Sequence, residues 1–105
     1  MDLIAEKFPK TVEAAVEILM DKLTPNPREK VRFANMSKRS LVEYHKSIKN
    51  YIVTEFRLPG NEPLMKSCSL FANLPQIDSH QASYIILSAM QLKLLETAFL
   101  KVVRG

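Results

Sequence analysis

The chain is predicted to be an all-α domain, a compact bundle of four to five helices joined by short loops. Three observations predict it. Apolar residues recur at helical spacing in several separate segments. Prolines fall between those segments, where they end one helix and open the next. Glycine occurs twice, as Gly60 and Gly105, and neither follows the Asn or Asp of a tight hairpin turn.

The first helix is expected over about 11–23, with Thr11 as its N-cap. Val12, Ala15, Val16, Leu19 and Leu23 share one face, and Glu13, Glu17 and Asp21 lie opposite. Thr24-Pro25-Asn26-Pro27 ends it and starts a short second helix, in which Asn26 caps, Pro27 takes the first position and Glu29 the third. This helix ends near Ala34. Ser37 caps a third helix over about 38–57, whose stripe is Leu41, Tyr44, Ile48, Ile52 and Phe56, with His45 inside it. Leu58-Pro59-Gly60 stops it. Asn61 caps a short fourth helix to about Leu70, and Phe71 to Ile77 reads as a loop.

Asp78, with Gln81 three residues on, opens the last helix. Ala82, Ile85, Ile86, Ala89 and Met90 form its first apolar face. Beyond Gln91 the stripe changes sides: Leu94, Leu95, Ala98, Phe99 and Val102 point the other way, and Lys93 and Glu96 take the old core direction. Either the helix breaks or bends near Gln91–Lys93, or it stays straight and its second half packs on something else. That something is the N-terminal Leu3, Ile4 and Phe8, or another copy of the chain.

Certain stretches stand in a familiar order. They are Pro9-Lys10-Thr11-Val12-Glu13-Ala14-Ala15-Val16; Asn35-Met36-Ser37 with Leu41 and His45; Phe56-Arg57-Leu58; Gly60-Asn61 with Leu64 and Cys68; and Ala82-Ser83. Together, over about residues 9–96, they resemble a family of small, functionally uncharacterised bacterial all-helical domains. The resemblance implies a stand-alone bacterial module and directs inspection to His45, Asn61, Cys68 and Ser83. It implies no activity, cofactor or substrate. The family pattern has aspartates just before the Ala-Ser pair; here His80-Gln81 stand there.

The 105 residues are the length of one domain, 1–105, able to bury a single core. One cysteine, Cys68, excludes an intrachain disulfide. No secretory leader pattern opens the sequence, and its most apolar stretch, Tyr84 to Val103, contains Lys93, Glu96 and Lys101. A cytoplasmic location and no membrane are the resulting expectations.

Catalysis, cofactor and metal are all expected to be absent. Cys68, His45 and Asn61 are the residue types of a thiol hydrolase, in which an imidazole takes the thiol proton and an amide orients the ring, but no signature surrounds the cysteine. The preferred reading of the three is a buried thiol, a core histidine and a helix cap. There is no phosphate-binding Gly-rich loop, and one Cys and two His lack metal-ligand spacing.

The formal charge of +4 is uneven. Residues 1–24 hold three basic and five acidic side chains, whereas 25–57 hold eight basic and three acidic. Lys38, Arg39, Lys46 and Lys49 are thus candidate polyanion contacts, on a third helix that with the second superficially reads as helix-turn-helix. The preferred expectation is a non-catalytic protein–protein interaction module, self-association included. It uses Leu94, Leu95, Ala98, Phe99 and Val102, with basic residues at the rim. Nucleic-acid binding through 28–57 is the alternative.

Overall fold

The computed structural model describes the backbone of residues 8–104 and the side chains of residues 8–97. Five helices follow one another: α1 (Val12–Leu23), α2 (Pro27–Ala34), α3 (Lys38–Glu55), α4 (Glu62–Ala72) and α5 (Ser79–Arg104). The described residues contain no strand.

The helix starts lie where local chemistry puts them. Thr11 Oγ1 accepts from Ala14 N at 3.1 Å, Asn26 Oδ1 from Glu29 N at 2.9 Å and Ser37 Oγ from Ser40 N at 3.1 Å. Each satisfies one of the amides that a helix leaves without a partner in its first turn. At α5 the capping box is reciprocal: Gln81 N donates to Asp78 Oδ1 at 2.8 Å, and Asp78 N donates to Gln81 Oε1 at 3.0 Å.

Two helix ends differ from expectation. α3 stops at Glu55, because Arg57 adopts the left-handed conformation (φ 59°), with Leu58 N bonded to Val53 O and Arg57 N to Thr54 O. This is a Schellman closure with arginine where glycine is usual. α4 runs on to Ala72, past the expected end at Leu70, and Asn73 (φ 57°) closes it by the same two bonds, Leu74 N to Ser69 O and Asn73 N to Leu70 O. Phe71 is therefore helical, not part of a loop. The Leu58–Pro59 peptide is cis.

α5 is the axis of the bundle, and each of the other four helices packs on it. Its buried residues are Ala82, Ser83, Ile86, Leu87, Ala89, Met90 and Leu94. They span roughly 160° of the helix surface at 100° per residue, wider than one amphipathic stripe. Against them lie Ala15 and Leu19 of α1, Phe33 and Ala34 of α2, Leu41 and Ile52 of α3, and Leu64 and Cys68 of α4. Fully burying each leucine or isoleucine contributes roughly 1.5–3 kcal/mol.

The last helix does not break at Gln91–Lys93; it runs unbroken from Ser79 to Arg104. The chemistry of those two residues explains how. Gln91 Nε2 donates to Met36 O at 2.8 Å and Phe33 O at 3.3 Å, so its amide serves carbonyls at the end of α2. Lys93 Nζ reaches Glu17 Oε2 of α1 at 2.8 Å, keeping its charge at the edge of the core.

Candidate functional site

Leu94 is a core residue. Expected on an interaction face, it is 3% exposed and belongs to the core, continuing the Leu87–Met90 side of α5. Leu95 is 41% exposed. The side chains of Ala98, Phe99 and Val102 lie outside the described residues, as do Leu3 and Ile4.

The structure instead places exposed apolar side chains around a groove between α1 and α5. The groove encloses about 350 Å³. Val12, Val16 and Ala89, all buried, form its floor. Phe71 from the end of α4 and Leu92 of α5 stand at its walls, 52% and 54% exposed. Leu70, 72% exposed, continues the apolar surface past Phe71. Glu13, Lys93, Glu96 and Thr97 complete the lining. Lys93 is held by Glu17, whose hydrogen bond and charge raise the lysine pKa. Among the described residues Glu13 and Glu96 make no ion pair, so the groove carries net negative charge.

Local order around the groove comes from side-chain bonds to backbone. Ser67 Oγ of α4 accepts from Val12 N at 2.9 Å, which ties the start of α1 to α4. Asn61 caps α4 by accepting from Leu64 N at 3.3 Å. Its Nδ2 donates to Pro9 O at 3.0 Å and Phe56 O at 3.2 Å. Asn61 thus fastens three chain segments at one point.

Those bonds leave Asn61 no part in a catalytic arrangement, and the thiol-hydrolase grouping does not assemble. Cys68 is fully buried, its Sγ 3.8 Å from Ala82 O, and burial pushes the thiol pKa up to about 12. A thiol so placed does not supply thiolate at neutral pH.

His45 meets Ser83 instead: Nε2 and Oγ are 2.7 Å apart. Ser83 Oγ also donates to His80 O at 2.8 Å. A hydroxyl has one proton and a carbonyl has none, so His45 donates from Nε2 and Ser83 accepts. A serine nucleophile needs the opposite polarity, with its proton directed at the imidazole, and Ser83 has no exposed surface. Burial, then the charges of Lys49 and His80, lower the His45 pKa, and its ring stands edge-on to Tyr84. Among the described residues no three His, Cys, Asp or Glu converge as metal ligands.

Lys38 and Arg39 are exposed in the first turn of α3, which holds no acidic residue. Lys46 lies 3.3 Å from Glu43, and Lys49 is half-buried. The four candidate polyanion contacts share roughly a 100° arc of the helix. In the helix-turn-helix comparison, α2 and α3 both pack on α5, and Phe33 and Tyr44 touch edge to face at 5.7 Å.

The sequence reading missed Phe71, Leu70 and Leu92. The signal for the first two was local: two adjacent large apolar residues where the expected fourth helix gave way to a loop. Leu92 carried none, because a leucine in an apolar helix does not declare which neighbour covers it.

The chain matches no family model, and no curated protein or solved structure is significantly similar to it. No helix among the described residues is long and apolar enough to cross a membrane.

Proposed function

We propose that the protein is a non-catalytic protein–protein interaction module whose docking surface is the α1–α5 groove with Phe71, Leu70 and Leu92. The observation that supports this is the concentration of exposed apolar side chains around one concave site. Phe71 and Leu92 are each more than half exposed and face a floor already made of core residues. Apolar patches rimmed by polar residues mark interaction sites, and a buried aromatic anchor commonly dominates such interfaces. The expected contacts therefore move from Leu94 to Leu92 and Phe71.

The test is a photo-crosslinking amino acid placed at Leu92 in source cells. A discrete crosslinked protein at Leu92, absent when the same group is placed at exposed Glu43, supports the module. Crosslinking to a second copy makes the module self-associating. No crosslink at Leu92 removes the proposal.

A second reading has its own observation, the exposed, acid-free start of α3 with Lys38 and Arg39. It predicts nucleic-acid binding whose log affinity falls with log salt at a slope of about −3 to −4 for four phosphate contacts. A slope near zero removes it.

A further inference from the structure

We infer that the occupant of the groove is a short amphipathic helix of another protein, with lysine or arginine flanking its apolar stripe. This rests on the interaction-module reading and names the chemistry of its partner.

The shape comes from α5. Ala89, Leu92, Lys93, Glu96 and Thr97 line the groove at i, i+3, i+4, i+7 and i+8, two turns of one helix face. At 1.5 Å per residue they span about 12 Å. Val12, Glu13 and Val16 add one turn of α1 along the opposite edge, and Phe71 stands beside them. A trough between two helices, two turns long and apolar at its base, fits the i, i+3/i+4, i+7 anchors of an inserted helix.

The charge selects the partner. Glu13 and Glu96 line the groove, and among the described residues its one lining cation, Lys93, is engaged by Glu17. Glu17 and Asp21 continue the acidic face of α1. Among the described residues the lining is therefore acidic, on a chain whose formal net charge is +4. It attracts basic flanks and repels phosphate backbones and anionic lipid.

A second copy does not offer the complement on α3, its longest basic helix. That helix already spends its apolar stripe (Leu41, Tyr44, Ile48 and Ile52) on its own core. Its exposed basic arc holds no large apolar side chain beside Lys38 and Arg39.

The experiment titrates the isotope-labelled full chain with two synthetic helical peptides of about four turns. Both carry the same leucine stripe, one flanked by lysine and the other by glutamate. The lysine peptide is expected to bind at least about tenfold more tightly, a difference of about 1.4 kcal/mol. Its amide shifts are expected at Val12–Val16, Phe71 and Ala89–Thr97. Phe71→Ser with Leu92→Ser weakens it by about tenfold or more with the helical signal unchanged. Glu13→Lys with Glu96→Lys reverses the preference between the peptides.

Equal affinity for both peptides, no binding of either, or shifts centred elsewhere overturns the inference. Concentration-dependent dimerisation lost in Leu92→Ser also overturns it, in favour of a second copy. If Leu92 crosslinks a protein in cells while the peptides show no preference, the module stands and only the basic-helix partner falls. If Leu92 crosslinks nothing, the module itself falls.

Discussion

Ser83 Oγ sits 2.7 Å from His45 Nε2, joining the middle of α3 to the first turns of α5 across 38 residues of sequence. Its proton goes to His80 O, so the imidazole is the donor. Ser83→Ala leaves a half-buried N–H without its acceptor and should cost about 1–3 kcal/mol of unfolding free energy. Ser83→Thr keeps the acceptor but adds a methyl group to a fully buried site, which typically costs about 1–3 kcal/mol. Denaturant unfolding checks both, and nitrogen NMR of His45 should show the proton on Nε2. A proton on Nδ1 would refute the assignment.

The same histidine makes stability depend on pH. Its folded pKa is lowered from 6.5 by burial, Lys49 and His80. The unfolded chain therefore binds the proton more readily, and stability increases with pH across the window below 6.5. The contribution is full above 6.5 and is lost as pH falls towards the folded pKa. His45→Gln, which retains an amide donor, should flatten the melting temperature between about pH 6.5 and 5. An unchanged slope would assign that pH dependence to other groups.

Asn61 acts as both acceptor and donor, which separates two substitutions. Asn61→Ala loses the cap of α4 and the bonds to Pro9 O and Phe56 O, a cost of about 2 kcal/mol or more. Asn61→Asp restores the cap but sets a carboxylate against two carbonyls. It should recover only part of the loss at neutral pH and more of it in acid, as the carboxyl gains a proton to donate. Full recovery at neutral pH would mean that the cap alone matters.

Neighbouring leucines on α5 should behave oppositely. Leu94→Ala opens a cavity in the core and should cost about 2–5 kcal/mol. Leu95→Ala, partly exposed, should stay within about 0.5 kcal/mol. Similar costs at both positions would place the core boundary of α5 elsewhere.

Cys68 should resist thiol reagents at neutral pH in the folded chain and react at once when unfolded, because burial holds its pKa near 12. Rapid labelling of the native protein would contradict its burial.

The helix starts were readable because capping is local: Thr11, Asn26, Ser37 and Asp78 each act on an amide three residues away. The ends of α3 and α4 were less readable because Arg57 and Asn73, not glycine, take the left-handed position. For the last helix the choice between a break and a straight run stayed open, and Leu94 was assigned to the wrong face, for a geometric reason. A helix enclosed by four others has no single stripe, so Leu94 looked displaced when it was facing a different neighbour. Gln91 looked like a polar interruption, though its amide answers carbonyls 55 and 58 residues earlier. The groove depends on the same tertiary facts: Phe71 and Leu92 come together only once α4 and α5 both lie beside α1.

The central place of α5 also sets an order of events at the ribosome. The four helices made first find few partners among themselves; α1 with α4 is the main pairing that omits α5. Until α5 emerges, Leu19, Phe33, Leu41 and Leu64 lack the helix on which they pack. The domain therefore folds late and as one unit, and a nascent chain stalled before residue 79 should be sensitive to protease along its whole length.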